Sequence, residues 1–347
     1  MIIRSIKYLS ISDYFFSKYP EILRYSKKRK FYLKTMQEYK YCKSLCGQEG
    51  NNKLIESIKD FDIIFLLHLN DIYYFCKTFL PKIKNKIIII CEGSDDNFTD
   101  RKFLRGCFGF DEEEQDKMIS LDDLKLNRNF CDNNKYNNFK KVYRIFVRNC
   151  DVIRYKTKIR SLPIGLPSIT FGIGYFNDTD SYFEKSTIKR DKLVCMSFRL
   201  RGGGKHGVPK WHRYEYYNYF VLKSFVTNEY CRFDSFISTN DNKQIYSEYI
   251  ESLKQHKFVL CPFGHGFDTF RTWEALYSGC IPIIPYTRAL KYYADLPVYI
   301  IHKKEEVTEQ SLNEKYIEIQ ENLKKGVYNL DKLSIEHWKR KILSHKK

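Results

Sequence analysis

KFVLCPFGHGFDTFRTWEALYSGCIPIIP, residues 257–285, decides the fold. KFVLCP reads as a buried strand, FGHGFD as a glycine-rich turn, TFRTWEALYSG as a helix and CIPIIP as a second buried strand. Gly279 suits the position just past the helix, where a C-cap needs a left-handed backbone. In open α/β sheets ligands bind at the carboxyl ends of strands, and a helix N-terminus offers N–H groups to an anion. Gly264 and Gly266 let the backbone approach such a ligand closely. Asp268 or Thr269 is placed to cap the helix. Arg271 lies in the first turn, where a cation opposes the helix dipole; a bound diphosphate would suit it there. Glu274 follows on the same face, while Phe270, Trp273 and Tyr277 share the other. The alternative is an ordinary Arg271–Glu274 surface pair worth about 0.3 kcal/mol.

The same alternation extends outward. In the first half FDIIFLLHL (61–69) and KIIIICEG (86–93) read as buried strands, separated by a helix over DIYYFCKTFLPKI that stops near Pro81. Residues 111–139 are polar and Asn-rich, as a surface segment would be. YRIFVRNCD and KIRSLPIGLPS (158–168) follow, the latter a strand ending in a Pro/Gly turn. Beyond a loose segment, 171–191, come the strand KLVCMSF (192–198), the glycine-rich RLRGGGKHGVPK and a helix through WHRYEYYNYFVLKSF. A helical pattern near 244–255, the strand VYIIH (298–302) and a helical tail over 308–343 complete the chain. Near-continuous Val/Ile/Leu strands belong to parallel sheets covered on both faces. The expectation is an α/β protein of two facing Rossmann-like domains with a cleft between them. They occupy 1–175 and 192–330, with a linker at 176–191 and a tail at 331–347.

With 347 residues, two domains of about 150 each are expected. Hydrophobic residues make up 43%, which rules out disorder as the overall state. No apolar run approaches the roughly 20 residues of a membrane-spanning helix, and the start shows no signal peptide. The net charge of +18 attracts polyanions, but it is spread along the chain with no basic arm, so specific nucleic-acid binding is not expected. Eleven cysteines are scattered without metal spacing. Cys76, Cys91, Cys195, Cys261 and Cys280 sit in apolar stretches, where a reduced thiol acts as a small hydrophobe. A cytoplasmic location follows.

Three further groups could carry chemistry. In 199–213, Gly202, Gly204 and Gly207 spell GxGxxG, but no helix opens directly from it and no acidic partner follows, so a dinucleotide site is rejected. A loop bringing Arg199, Arg201, Lys205 and His206 to phosphates fits better, with Arg213 on the next helix; a plain basic surface loop is the alternative. CEGSDD (91–96) places Asp95 and Asp96, with Glu92 nearby, at a strand's carboxyl end as candidate general bases or as helix caps. His68 is a lesser candidate, better read as structural. Asp60 and Asp62 form a lone DxD triplet before a strand, and no metal is expected there.

The 257–285 segment closely resembles the donor-binding region of exostosin-like glycosyltransferases. The resemblance is carried by Cys261, Pro262, Gly264, Arg271, Trp273, Glu274, Ala275, Gly279, Cys280, Ile281 and Pro282. ADLPVYII (294–301) and LPIGL (162–166) extend it more loosely. The resemblance implies a GT-B fold and transfer of a sugar from a nucleoside-diphosphate sugar, UDP slightly favoured, to a glycan, protein or other hydroxyl acceptor. It implies inversion as the usual outcome; no cofactor and no obligatory metal are expected. Glu274 would bond the ribose hydroxyls and Arg271 would neutralise the diphosphate, aided by preorganised cations and the helix N-terminus. The rivals are a catalytically degenerate relative acting as a binding or scaffold protein and, further off, a basic nucleic-acid-binding protein.

Overall fold

The computed structural model describes residues 8, 11–16, 43–44, 52–66, 69–91, 98–115, 133–151, 155, 157–166, 190–200, 212–228 and 241–346. The chain forms two compact units: one runs to Leu162 and includes Trp338–Lys347, the other is Pro163–His337. The division falls upstream of 176–191, where a linker is expected; nearly all of that segment lies outside the described residues.

The first unit contains strands β1 (Tyr14–Phe16), β2 (Lys43–Ser44), β3 (Asp62–Leu66), β4 (Ile87–Cys91), β5 (Phe98–Thr99), β6 (Val142–Val147), β7 (Cys150–Asp151) and β8 (Ile159–Ser161). Six form one parallel sheet in the order β2-β1-β3-β4-β6-β8, and β5 pairs separately with β7. Ile63–Leu66 and all of β4 are fully buried, as apolar strands covered on both faces must be. Helices α1 (Asn52–Glu56), α2 (Leu69–Thr78) and α3 (Asn133–Lys141) supply cover. Ile72, Phe75, Cys76 and Phe79 recur at helical spacing and are all buried; Pro81 then sits in a 3-10 turn, Leu80–Lys82. The DxD carboxylates are spent on strand entry: Lys86 N–H donates to Asp60 and Lys59 N–H to Asp62, each at 2.8 Å.

The expected tail belongs in part to this unit. Trp338 and Ile342 are buried, and the His345 ring packs on Phe146 at 5.8 Å. Lys346 pairs with Asp13, which also accepts Ile63 N–H at 2.7 Å at the start of β3.

The second unit contains β9 (Lys192–Met196), α4 (His212–Phe220), β10 (Val226–Asn228), α5 (Asp241–Gln255), β11 (His256–Leu260), α6 (Phe270–Tyr277), β12 (Ile281–Pro285), β13 (Tyr299–Ile301) and α7 (Glu309–Lys324). Its five strands are all parallel, in the order β10-β9-β11-β12-β13. Counted along the chain this is 2-1-3-4-5, a doubly wound Rossmann-like sheet whose winding reverses between β9 and β11. A last helix, α8 (Ile335–Leu343), starts in this unit and ends in the first. Two Rossmann-like units in one chain are the make-up of the GT-B fold.

Two devices fix the helices around β11. Gly279, at φ +68°, ends α6 with Cys280 N–H on Ala275 O and Gly279 N–H on Leu276 O, the paired bonds of a Schellman motif. Arg190, just before β9, donates to Leu253 O, His256 O and Ser278 O at 2.6–2.8 Å. Its cation thus meets the negative ends of both α5 and α6.

Candidate functional site

The reversal between β9 and β11 fixes where a ligand belongs: outside the carboxyl ends of those two strands. Two sequence-predicted segments stand there. After β9 come Phe198 and Arg199; Arg201, Lys205 and His206 lie outside the described residues. After β11 comes the turn Cys261–Thr269, leading into α6.

Arg213, in the first turn of α4, ties the two segments together. Its Nε donates to Phe263 O at 2.9 Å and its Nη1 to Arg199 O at 3.3 Å. Gly264 leaves room for this guanidinium: a Cβ there would stand 2.8 Å from Arg213 Nη2, and the side chain would have to shift. Gly264 N–H donates to Gly266 O at 3.0 Å, so it serves the turn rather than a ligand. Arg199 contributes its carbonyl, and its side chain is exposed. His212 stacks on Phe263, ring centroids 4.9 Å apart and 15° from parallel. Burial, with Arg213 and Lys304 nearby, lowers its imidazole to about 4, so it is neutral at pH 7.

Arg271 and Glu274 do not form a surface pair. The Arg271 guanidinium lies over the Phe198 ring at 5.7 Å, a cation–π contact made at the end of β9. Glu274 is 93% buried (7% exposed). Tyr249 of α5 stands close to both: burial and the Glu274 carboxylate push its phenol up, and Arg271 pulls it down. Cys261, at the end of β11, joins the cluster through a Thr272 hydrogen bond; burial pushes its thiol up to about 12. A cation and a carboxylate are thus held together at the first turns of α6, beside N–H donors a helix start leaves unpaired. Such a set can meet a diphosphate and a pair of ribose hydroxyls.

Asp268 plays a different part from the expected one. It is buried, and its carboxylate accepts from Ile164 N–H (2.7 Å), Trp273 Nε1–H (3.0 Å), Tyr292 O–H (2.5 Å) and Tyr293 O–H (2.5 Å). It therefore rivets the turn to the 162–166 segment, to α6 and to the 3-10 segment Arg288–Tyr293, and the N-cap position of α6 falls to Thr269 instead. Burial raises its carboxyl, and the four donors pull the other way. Thr269 is the N-cap residue but makes no side-chain capping bond; its hydroxyl meets that of Thr272 at 3.3 Å. Asp95, Asp96, Glu92 and His68 lie outside the described residues.

Among the described residues no three His, Cys, Asp or Glu side chains gather as a metal site, and no helix is long and apolar enough to cross a membrane. The seven described cysteines are buried free thiols.

Residues 217–295 match the family described as the RXYLT1 C-terminal domain, a span holding β11, the turn, α6 and β12. A probable glycosyltransferase of Arabidopsis thaliana is 25% identical over 114 residues, covering 30% of this chain. The match spans about a quarter (24%) of that relative's length. The solved apo structure of OtsA superposes with a TM-score of 0.44 at 11% identity, covering 85% of this chain and 75% of that one. Through the turn after β11, the helix carrying Arg271 and Glu274 and the strand beyond, this chain is therefore similar to the RXYLT1 C-terminal domain family.

Proposed function

We propose that the protein moves a sugar from a nucleoside-diphosphate sugar to an acceptor hydroxyl, with inversion. One observation carries this reading: Arg271 and the buried Glu274 stand together at the winding reversal of the second sheet, where α6 begins. The departing diphosphate would develop its charge beside Arg271 and the N-terminus of α6, and preorganised donors of this kind lower the barrier to its release. Glu274 would hold the ribose hydroxyls. With cations from the chain meeting the leaving charge, no metal is assigned a step. UDP-sugars are the first donors to try. The base that takes the acceptor proton is assigned to Asp95 or Asp96, beyond β4. The buried free thiols support a reducing compartment.

A thermal-shift titration with UDP, GDP and their sugars tests the assignment. At 100 times its Kd, a nucleoside diphosphate should stabilise the protein by about 2.7 kcal/mol. Arg271→Ala and Glu274→Ala should each abolish transfer while leaving the circular dichroism unchanged. No stabilisation by any nucleoside diphosphate would overturn the proposal, and activity retained in both variants would overturn the roles.

A further inference from the structure

The carboxyl edge of the second sheet continues past the donor turn. β12 ends at Pro285 and β13 at Ile301, and the next residue of each is an aromatic ring at the surface, Tyr286 and His302. The rings stack on each other, centroids 4.6 Å apart and 28° from parallel. Tyr286 N–H donates to Ile301 O at 2.8 Å, so the backbones beneath the rings are locked together. Tyr286 is 47% exposed even so, which leaves an aromatic surface in water.

The position of this pair follows from the sheet. Strands lie about 4.8 Å apart, so Tyr286 and His302 stand roughly 5 and 10 Å along the edge from the end of β11. The chain leaving Tyr286 runs into the 3-10 segment whose Tyr292 and Tyr293 hydroxyls hold Asp268. The aromatic pair and the donor turn are thus parts of one fixed piece of backbone.

We propose that Tyr286, backed by His302, is a stacking platform for one sugar ring of an acceptor glycan. This rests on the reading of the neighbouring turn as a sugar-donor site. The negative face of an aromatic ring attracts the weakly positive C–H face of a pyranose, and a preformed stack loses little freedom on binding. A nucleotide pocket encloses most of its ligand. An open ring at the surface covers only one side of its occupant, which suits one unit of a longer chain held at several points.

Saturation-transfer NMR and titration with neutral oligosaccharides of xylose, glucose and N-acetylglucosamine, run beside UDP and uridine, test this on the full chain. The wild type should bind at least one oligosaccharide. Tyr286→Ala should weaken that binding tenfold or more and Tyr286→Trp should retain it, while UDP affinity stays within twofold. Oligosaccharide binding unmoved in Tyr286→Ala, or absent from the wild type, overturns the proposal. So does a loss of UDP or uridine binding in Tyr286→Ala, which would make the platform a base site. If the wild type binds oligosaccharide in a Tyr286-dependent way but no nucleoside diphosphate, the donor assignment fails and the platform stands.

Discussion

Asp268 carries much of the site's geometry, since four donors from three parts of the second unit converge on its two oxygens. In Asp268→Asn an amide N–H₂ would face donors, and in Asp268→Ala all four would lose their acceptor. Each change should cost about 3 kcal/mol or more, read from the denaturation midpoint of the second unit. His212 gives the site a pH dependence of known sign. Its ring is lowered to about 4 from an ordinary 6.5, so the fold favours the neutral form. That contribution is fully present above pH 6.5 and lost as the pH falls towards 4, with a ceiling of roughly 3 kcal/mol. His212→Phe keeps the stack on Phe263 and removes the titration, so the drop in melting temperature between pH 7 and pH 4.5 should shrink. The first-turn position of Arg271 stood out in the sequence because a cation there opposes the helix dipole, whereas its contact with the Phe198 ring left no local pattern. The part played by Asp268 was not legible, because its partners lie up to 104 residues away and carry no local pattern.

At the scale of elements, the strands and helices around the site follow directly from apolar runs punctuated by glycine and proline. β11, α6 and β12 begin and end within a few residues of the expected positions. Local pattern cannot supply the order of strands across a sheet, which is decided by which neighbours each strand finds. That order is what turns two separate glycine-rich segments into one site. Arg190 shows how the arrangement is held, because it joins the carbonyl ends of α5 and α6 through a half-buried guanidinium. Burial lowers its pKa, though not to where it would lose its proton. Lysine keeps the charge but presents one nitrogen where Arg190 uses two to reach the three carbonyls. Arg190→Lys should therefore destabilise the second unit by about 1–3 kcal/mol, visible as a lower melting temperature.

At the scale of the molecule, the two-unit plan was legible from length and from repeated strand–helix alternation. The allegiance of the last residues was not. A helical pattern near the end of a chain says nothing about which core it joins. Trp338 and Ile342 are buried and Lys346 holds Asp13, so a chain ending at His337 should lose stability in its first unit by about 3–5 kcal/mol. Hydrogen exchange should show β1 and β3 opening more readily in that truncation, with the second sheet protected as before.

The route of those last residues also bears on synthesis. Domains usually fold as they leave the ribosome, the earlier one first. Here the earlier one waits for residues 338–347, translated after the later one, so its hydrophobic interior stays unfinished while the later one is made. Newly made protein should consequently depend on chaperones until residues 338–347 have left the ribosome, and slowing translation would prolong that exposure rather than relieve it.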